Sequence, residues 1–149
     1  MTVLAHTGFT VRDLDRALGF YRDVLGMRIV FEQEKQGGYL AEIVGYPNAH
    51  VRMAHLEFED GGHRIELFEY VEPPSRGDAG EPRDLGITHV CFAVDDVDAV
   101  LERATAAGVE PISSPVLVDT GANAGGRGVY LRDLDGILIE LFQPRSDEQ

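Results

Sequence analysis

Residues 6–18 read HTGFTVRDLDRAL, and residues 89–101 read HVCFAVDDVDAVL. Aligned on their first histidine, the two stretches are identical at six of thirteen positions. A second match closes each half of the chain, because residues 65–68 and 139–142 both read IELF. A motif that recurs along a chain indicates a repeated structural unit. The sequence is therefore predicted to contain two copies of one unit, and this duplication decides the fold class.

Each copy shows the same order of elements. Alternating apolar residues predict an opening strand, near 3–11 in the first copy and near 87–94 in the second. A helix is predicted to follow near 13–25 and 96–107, because apolar residues recur there with the i, i+3, i+4 spacing of a buried helix face. Three further strands are predicted in each copy, which gives the order β-α-β-β-β.

Turn and capping residues support these boundaries. Asp13 and Asp96 are placed to cap the N-termini of the two helices, and Gly26 and Gly108 are placed to terminate them. An aspartate precedes glycine in the turn of each final hairpin. The predicted fold class is therefore α+β, with these boundaries: a first βαβββ module, 1–71; a linker rich in proline, glycine and charge, 72–85; and a second module, 86–149.

The composition narrows the possible partners. The 149 residues include 13 Lys+Arg and 26 Asp+Glu, a net charge of −13. This charge repels phosphate backbones and anionic bilayers, so neither a nucleic acid nor a membrane is an expected partner. The N-terminus lacks the pattern of a signal peptide, and the single cysteine, Cys91, has no internal disulfide partner. A cytoplasmic location is therefore expected.

Four polar residues interrupt apolar strands at repeat-equivalent positions. Because side chains alternate along a strand, His6 and His89 point away from the helix, among mostly small neighbours. Glu66 and Glu140 stand within the two apolar closing strands. An unpaired buried carboxylate is costly, and a divalent metal is the simplest shared partner for two imidazoles and two carboxylates. The pattern therefore predicts a metal site.

The structural alternative is that each residue is a satisfied strand histidine or a solvated glutamate, which is the more common case for any one of them alone. Four such residues at equivalent positions favour function. His50, His55 and His63 lack a repeat partner of their own type, although His55 lies inside a strand-like run. Cys91 adjoins the predicted site and is expected to be a small packing residue.

On these residues the sequence resembles the vicinal-oxygen-chelate superfamily, the group of glyoxalases, bleomycin-resistance proteins and extradiol dioxygenases. The resemblance covers nearly the whole chain. It rests on His6, on His89, on the helix run DLDRALGFYRDVLG at 13–26, and on DLDG at 133–136 leading into IEL at 139–141. It implies two repeated βαβββ modules forming a half-open mixed-sheet barrel around one divalent metal ion. The ligands it implies are His6, Glu66, His89 and Glu140.

A full His-Glu-His-Glu set is similar to that of glyoxalase I and methylmalonyl-CoA epimerase. The resemblance implies proton abstraction next to a carbonyl by a metal-dependent lyase or isomerase, with a metal-stabilised enediolate and a carboxylate that moves the proton. Glu140 is the first choice for the base and Glu66 the second. The expected metal is one Ni, Co, Zn, Mn or Fe ion per site. A homodimer acting on a small molecule is also implied.

Two alternatives stay open at this point. One is a ring-cleaving extradiol-type dioxygenase with Fe(II) at His6, His89 and Glu140. The other is a metal-free small-molecule binding protein of the drug-resistance type. Glutathione is disfavoured as a substrate handle, because Thr10 and Tyr70 stand where glyoxalase I uses an arginine and an asparagine to contact it.

Three residues are predicted to contact the substrate: Arg127, Thr10 and Phe68. Arg127 could bind a substrate carboxylate or could simply be solvated. It belongs to a glycine-rich stretch, residues 119–128, that is predicted to be either a lid over the substrate or a flexible surface loop.

Overall fold

Each repeat forms its own mixed sheet in the computed structural model, which describes residues 1–146. The chain divides into two compact units, the first spanning Met1–Gly77 and the second beginning at Asp78. Within the described residues, no helix has both the length and the apolar character needed to cross a bilayer.

The first unit is a four-stranded open sheet with two helices. Its strands lie in the order β1-β4-β3-β2, with β1 parallel to β4 and the other pairs antiparallel. The opening and closing strands of the unit are therefore neighbours. The elements in chain order are β1 (His6–Val11), α1 (Leu14–Tyr21), β2 (Arg28–Gln36), α2 (Gly38–Val44), β3 (His50–Phe58) and β4 (Gly61–Glu72).

The second unit has the same topology. Its strands lie in the order β5-β9-β8-β6, with the short β7 also paired to β8, and β5 runs parallel to β9. The predicted α+β fold of two repeated βαβββ-like modules is thus confirmed. The elements in chain order are β5 (His89–Ala93), α3 (Val97–Ala106), β6 (Glu110–Pro111), β7 (Val116–Leu117), β8 (Arg127–Arg132) and β9 (Leu138–Gln143).

The helices begin where the capping residues predict. The Asp13 carboxylate accepts a hydrogen bond from the Arg16 backbone N–H at 2.9 Å, and Asp96 accepts one from Ala99 at 3.0 Å. The C-terminal ends come earlier than predicted. Helix α1 ends at Tyr21, and hydrogen-bonded turns follow it. In these turns the backbone N–H groups of Leu25 and Met27 bond to the Phe20 and Tyr21 carbonyls, outside the i−4 pattern.

The core lies between each helix and the face of its sheet predicted to be buried. Phe9 and Val11 of β1 are buried beside Ile65 and Leu67 of β4, as the alternation predicts. Each such side chain contributes about 1.5–3 kcal/mol when fully buried. Val3, which falls within the opening strand predicted near 3–11, instead precedes β1 and is exposed.

Helix α2 has no counterpart in the sequence prediction. It is seven residues long, too short to show helical periodicity, and it lies between glycines that have positive φ. Its Leu40 and Ala41 pack against Val51 and Met53 of β3. The helix therefore covers part of the sheet face opposite α1, which is the face that carries His6 and Glu66.

Candidate active site

The first unit brings His6 and Glu66 together. The parallel register of β1 and β4 sets Gly8 beside Glu66, and the His6 Nε2 atom lies 3.5 Å from Glu66 Oε2. A Cβ atom added at Gly8 would lie 3.4 Å from the same carboxylate oxygen. The missing side chain at Gly8 thus leaves room for the Glu66 carboxylate beside His6.

His55 also contacts the His6–Glu66 pair, although it is not among the predicted site residues. It lies directly opposite Glu66 in the β3–β4 pairing, and its Nε2 is 2.9 Å from Glu66 Oε1. Its ring lies 5.6 Å from the His6 ring, and the Phe31 ring meets it edge-on at the same separation. Each oxygen of Glu66 therefore faces one imidazole.

The second unit pairs His89 with Glu140. Cys91 takes the place of Gly8, opposite the carboxylate in a parallel register, and His89 Nε2 lies 3.3 Å from Glu140 Oε2. Tyr130 faces Glu140 across β8 and β9, which is the position of His55 in the first unit. Its hydroxyl lies 3.2 Å from His89 Nε2. Tyr130 therefore contacts the histidine of its pair, whereas His55 contacts the glutamate of its pair.

Burial and negative charge keep Cys91 and Tyr130, the two ionisable groups beside the His89–Glu140 pair, protonated. Burial raises the pKa of the Cys91 thiol to about 11, with a further contribution from the Glu140 charge. Burial also raises the pKa of Tyr130, and Glu140 adds to the effect. A thiol that is protonated at neutral pH is a poor nucleophile. Cys91 is nevertheless exposed, so the structure does not show the packing role expected of it from the sequence.

Glu140 opens onto a cleft within the second unit. The cleft has a volume of about 340 Å³, which suits a small molecule. Its polar lining includes Tyr130, Ser113 and Asn123. Its apolar lining includes Phe142 and three aliphatic side chains, Ile112, Val116 and Val118.

Residues 119–126 of the glycine-rich stretch form a loop held by its own backbone, whereas Arg127 and Gly128 begin strand β8. Val118 donates to Gly126, Gly125 donates back to Val118, and Gly126 donates to Asn123. A Cβ atom at Gly126 would lie 2.5 Å from Phe142 Cζ, so only glycine fits against that ring. The loop brings Asn123 to the wall of the cleft.

The three predicted substrate contacts lie in different surroundings. Arg127 pairs through both terminal nitrogens with the Asp98 carboxylate on α3, one contact measuring 3.1 Å. Thr10 is exposed on β1 and lies opposite Phe68 in β4. Phe68 packs against the buried residues of α2 and β3, which include Leu40 and Met53, and its ring lies 5.1 Å from that of Tyr70.

Each unit thus supplies one histidine–glutamate pair of the predicted four-ligand set. Over residues 1–146, no three His, Cys, Asp or Glu side chains are already gathered in an arrangement that could hold a metal ion. The donor chemistry fits a divalent cation, because imidazole nitrogen and carboxylate oxygen are ligands for Zn, Ni, Mn, Fe and Co.

Comparison with known proteins finds a solved structure of the same fold and curated relatives over most of the chain. A glyoxalase family protein from Bacillus cereus superposes with a TM-score of 0.87 at 27% identity, covering 98% of this chain and 96% of the other. A 2-epi-5-epi-valiolone epimerase from Actinomyces sp. is 32% identical over 141 residues, which are 92% of this chain and 76% of the relative.

A lactoylglutathione lyase from Haemophilus influenzae is 31% identical over 149 aligned residues, covering 96% of this chain and 93% of the lyase. The model of one protein family matches residues 3–141, which include all four predicted ligands. The chain therefore belongs to the Glyoxalase/Bleomycin resistance protein/Dioxygenase superfamily.

Proposed function

We propose that this protein is a divalent-metal-dependent isomerase or lyase that removes a proton from the carbon next to a carbonyl group of a small molecule. One observation carries the proposal. A histidine and a glutamate meet once in each unit, at equivalent places in the sheet, with Nε2–Oε2 distances of 3.5 and 3.3 Å. Relatives named as an epimerase and a lyase support the reaction class.

The proposed ligands are His6 and Glu66 from the first unit and His89 and Glu140 from the second. When bound, a divalent cation polarises a carbonyl and stabilises the negative charge that develops on its oxygen. Ni, Co, Zn, Mn and Fe all accept this donor set.

Glu140 is proposed as the base because its carboxylate lines the cleft. It accepts the proton from the substrate carbon. In an isomerisation that proton then passes to the neighbouring carbonyl carbon, while the hydroxyl proton of the first carbon passes to the former carbonyl oxygen. In an epimerisation the proton is restored to the same carbon from its other side, with Glu66 as the second carboxylate. The apolar walls of the cleft limit water near the reacting carbon, which strengthens the electrostatic interactions there.

The first experiment is metal analysis of protein purified without an affinity tag or chelator. We expect about one metal ion per chain in the wild type and a marked loss in Glu140→Gln and His89→Ala. The matched control is Glu34→Gln, because Glu34 and His50 also form a His–Glu pair, at 2.6 Å, but have no repeat equivalent. This control should retain the metal.

The second readout is exchange of the proton next to a carbonyl with solvent deuterium. Exchange that is lost in Glu140→Gln and retained in Glu34→Gln supports the proposal. Bound iron with catechol-dependent oxygen uptake would instead favour the dioxygenase. Absence of metal after reconstitution, with ligand binding unaffected by chelators, would favour the metal-free binding protein.

The proposal keeps two expectations that rest on the sequence alone. These are a homodimer as the working assembly and a reducing cytoplasm as its location. Sedimentation of the metal-loaded protein tests the first, since a dimer has twice the mass of the 16.4 kDa chain.

A further inference from the structure

We propose that His55 is a positioning residue of the proposed metal site. It holds one oxygen of the Glu66 carboxylate by a hydrogen bond and thereby turns the other oxygen toward His6, with which Glu66 would share the cation. This proposal deepens the proposed function and rests on it, because His55 acts through a proposed ligand and does not act on the substrate.

The contact between His55 and Glu66 has the geometry of a hydrogen bond. The two residues lie directly opposite each other in the β3–β4 pairing, and His55 Nε2 lies 2.9 Å from Glu66 Oε1. An ionised carboxylate can only accept a hydrogen bond, so the donor is His55 Nε2, which carries a hydrogen atom. This nitrogen has no lone pair left for a cation. His55 therefore supports Glu66 and is not itself a ligand through Nε2.

The contact between His6 and Glu66 is of a different kind. His6 Nε2 lies 3.5 Å from Glu66 Oε2, which is longer than an ordinary hydrogen bond between nitrogen and oxygen. Two ligand atoms that each lie about 2.1 Å from a tetrahedral zinc ion are about 3.4 Å apart. The same carboxylate thus meets one imidazole at a hydrogen-bond distance and the other at a separation that suits two ligands of one ion.

The surroundings of His55 favour a fixed orientation of its ring. The side chains of His55 and Glu66 are only 20% and 18% exposed, so little water competes for their hydrogen bond. The rings of Phe31 and His6 each lie 5.6 Å from the His55 ring. A glutamate side chain has several rotatable bonds, and a fixed donor restricts them before a cation binds. Groups that contact a metal ligand from behind commonly raise metal affinity in this way.

The second unit differs at the equivalent position. Tyr130 takes the place of His55, but its hydroxyl contacts His89 Nε2, at 3.2 Å. The Glu140 carboxylate lines the cleft. The two carboxylates therefore have different surroundings, and the difference agrees with Glu66 as a fixed ligand and Glu140 as the first choice for the base.

The first test is the zinc affinity of the purified protein, measured by competition with a chromophoric chelator below the unfolding temperature of every variant. His55→Leu should bind zinc about 10–100-fold more weakly than the wild type, the usual loss when a group behind a metal ligand is removed. The control is His50→Leu, because the His50–Glu34 contact, at 2.6 Å, has no repeat equivalent. This control should bind zinc as the wild type does. Equal affinity of His55→Leu and the wild type, or an equal loss in both variants, overturns the proposal.

Rescue separates positioning from packing. The side-chain amide nitrogen in His55→Gln reaches the place of Nε2 and can donate to Glu66, whereas the shorter side chain in His55→Asn stops near the place of Nδ1. His55→Gln should recover most of the zinc affinity, and His55→Asn should not. This comparison decides even where His55→Leu fails to fold. Equal zinc affinity of the two amide variants overturns the proposal.

NMR separates a positioning residue from an additional ligand. Long-range proton–nitrogen spectra identify which ring nitrogens carry a hydrogen atom and which bind zinc. We expect His55 Nε2 to carry its hydrogen atom both before and after zinc is added, whereas a ring nitrogen of His6 should change on loading. Zinc bound directly by His55, or an Nε2 atom without hydrogen in the metal-free protein, overturns the proposal.

The same titrations separate this proposal from the proposed function. Zinc that is bound by the wild type, lost in Glu140→Gln and retained in His55→Leu overturns the role of His55 and leaves the proposed metal site standing. Zinc that is lost in both variants and recovered in His55→Gln supports both proposals. A wild type that binds none of Zn, Ni, Co, Mn and Fe overturns the proposed function and the role of His55 together.

Discussion

Replacing His55 with leucine should destabilise the metal-free protein by about 2 kcal/mol, because it removes a hydrogen bond to a charged and largely buried carboxylate. The His55 and Glu66 side chains are 20% and 18% exposed, and Nε2 lies 2.9 Å from Oε1. Leucine keeps an apolar side chain of similar size beside Phe31, so the loss is mainly that of the polar contact. His6, at 3.5 Å from the other carboxylate oxygen, is too distant to replace it.

The control for this prediction is His50→Leu. The His50–Glu34 contact is shorter, at 2.6 Å, but the Glu34 side chain is 61% exposed. Exposed ion pairs contribute about 0–1 kcal/mol, because water stabilises the separated charges nearly as well. Burial therefore outweighs distance, and His50→Leu should cost less than His55→Leu.

The assay is urea unfolding of chelator-treated protein at neutral pH, for His55→Leu, Glu66→Gln and the double variant. The double-mutant cycle should give a coupling free energy of about 1 kcal/mol or more between His55 and Glu66. A coupling below about 0.5 kcal/mol, or a larger loss in His50→Leu, would refute the reasoning from burial.

Two further predictions concern the second unit, one at Gly126 and one at the Asp98–Arg127 pair. The first has a control variant in helix α1. Gly126→Ala should lower the free energy of unfolding by about 1–3 kcal/mol, because the added Cβ atom would lie 2.5 Å from Phe142 Cζ. The control is Gly19→Ala, whose added Cβ atom would meet no neighbouring side chain within 4 Å. This variant should raise the free energy of unfolding by about 0.5–1 kcal/mol, and thermal unfolding measures both. A neutral or stabilising Gly126→Ala would contradict this packing. The Arg127 guanidinium lowers the pKa of the Asp98 carboxyl, so the stability from this pair is present at neutral pH and is lost as pH falls through the lowered pKa. Carboxyl carbon NMR should show Asp98 titrating below the usual aspartate range in the wild type and closer to it in Arg127→Ala; identical titrations would refute the pairing.

The repeat allowed most of the fold to be predicted from the sequence, and it singled out the four residues that form the two His–Glu pairs. Each unit pairs its opening strand with its closing strand, so the residues that recur in those strands become neighbours. The helix starts were predictable because the capping contact is local. Asp13 and Asp96 each accept a hydrogen bond from the backbone N–H three residues later in the sequence.

His55 was harder to assign because its partner depends on an irregularity in the hairpin. The register at the turn pairs Phe58 with Gly61, and continued without a shift it would set His55 opposite Arg64. A register shift between Leu56 and Phe58 sets His55 opposite Glu66 instead. The sequence carries no pattern that marks such a shift. Helix α2 was missed for a different reason, since its seven residues are too few to show helical periodicity.

The parallel pairing of first and last strands also has a consequence for folding. His6 and Glu66 are separated by 60 positions, and His89 and Glu140 by 51, so neither pair exists until nearly all of its unit has been synthesised and ordered. Contacts of such large sequence separation form late, because the entropy of closing a long loop is lost before they contribute. A ligand that binds to either pair therefore binds only to a unit that has completed its fold.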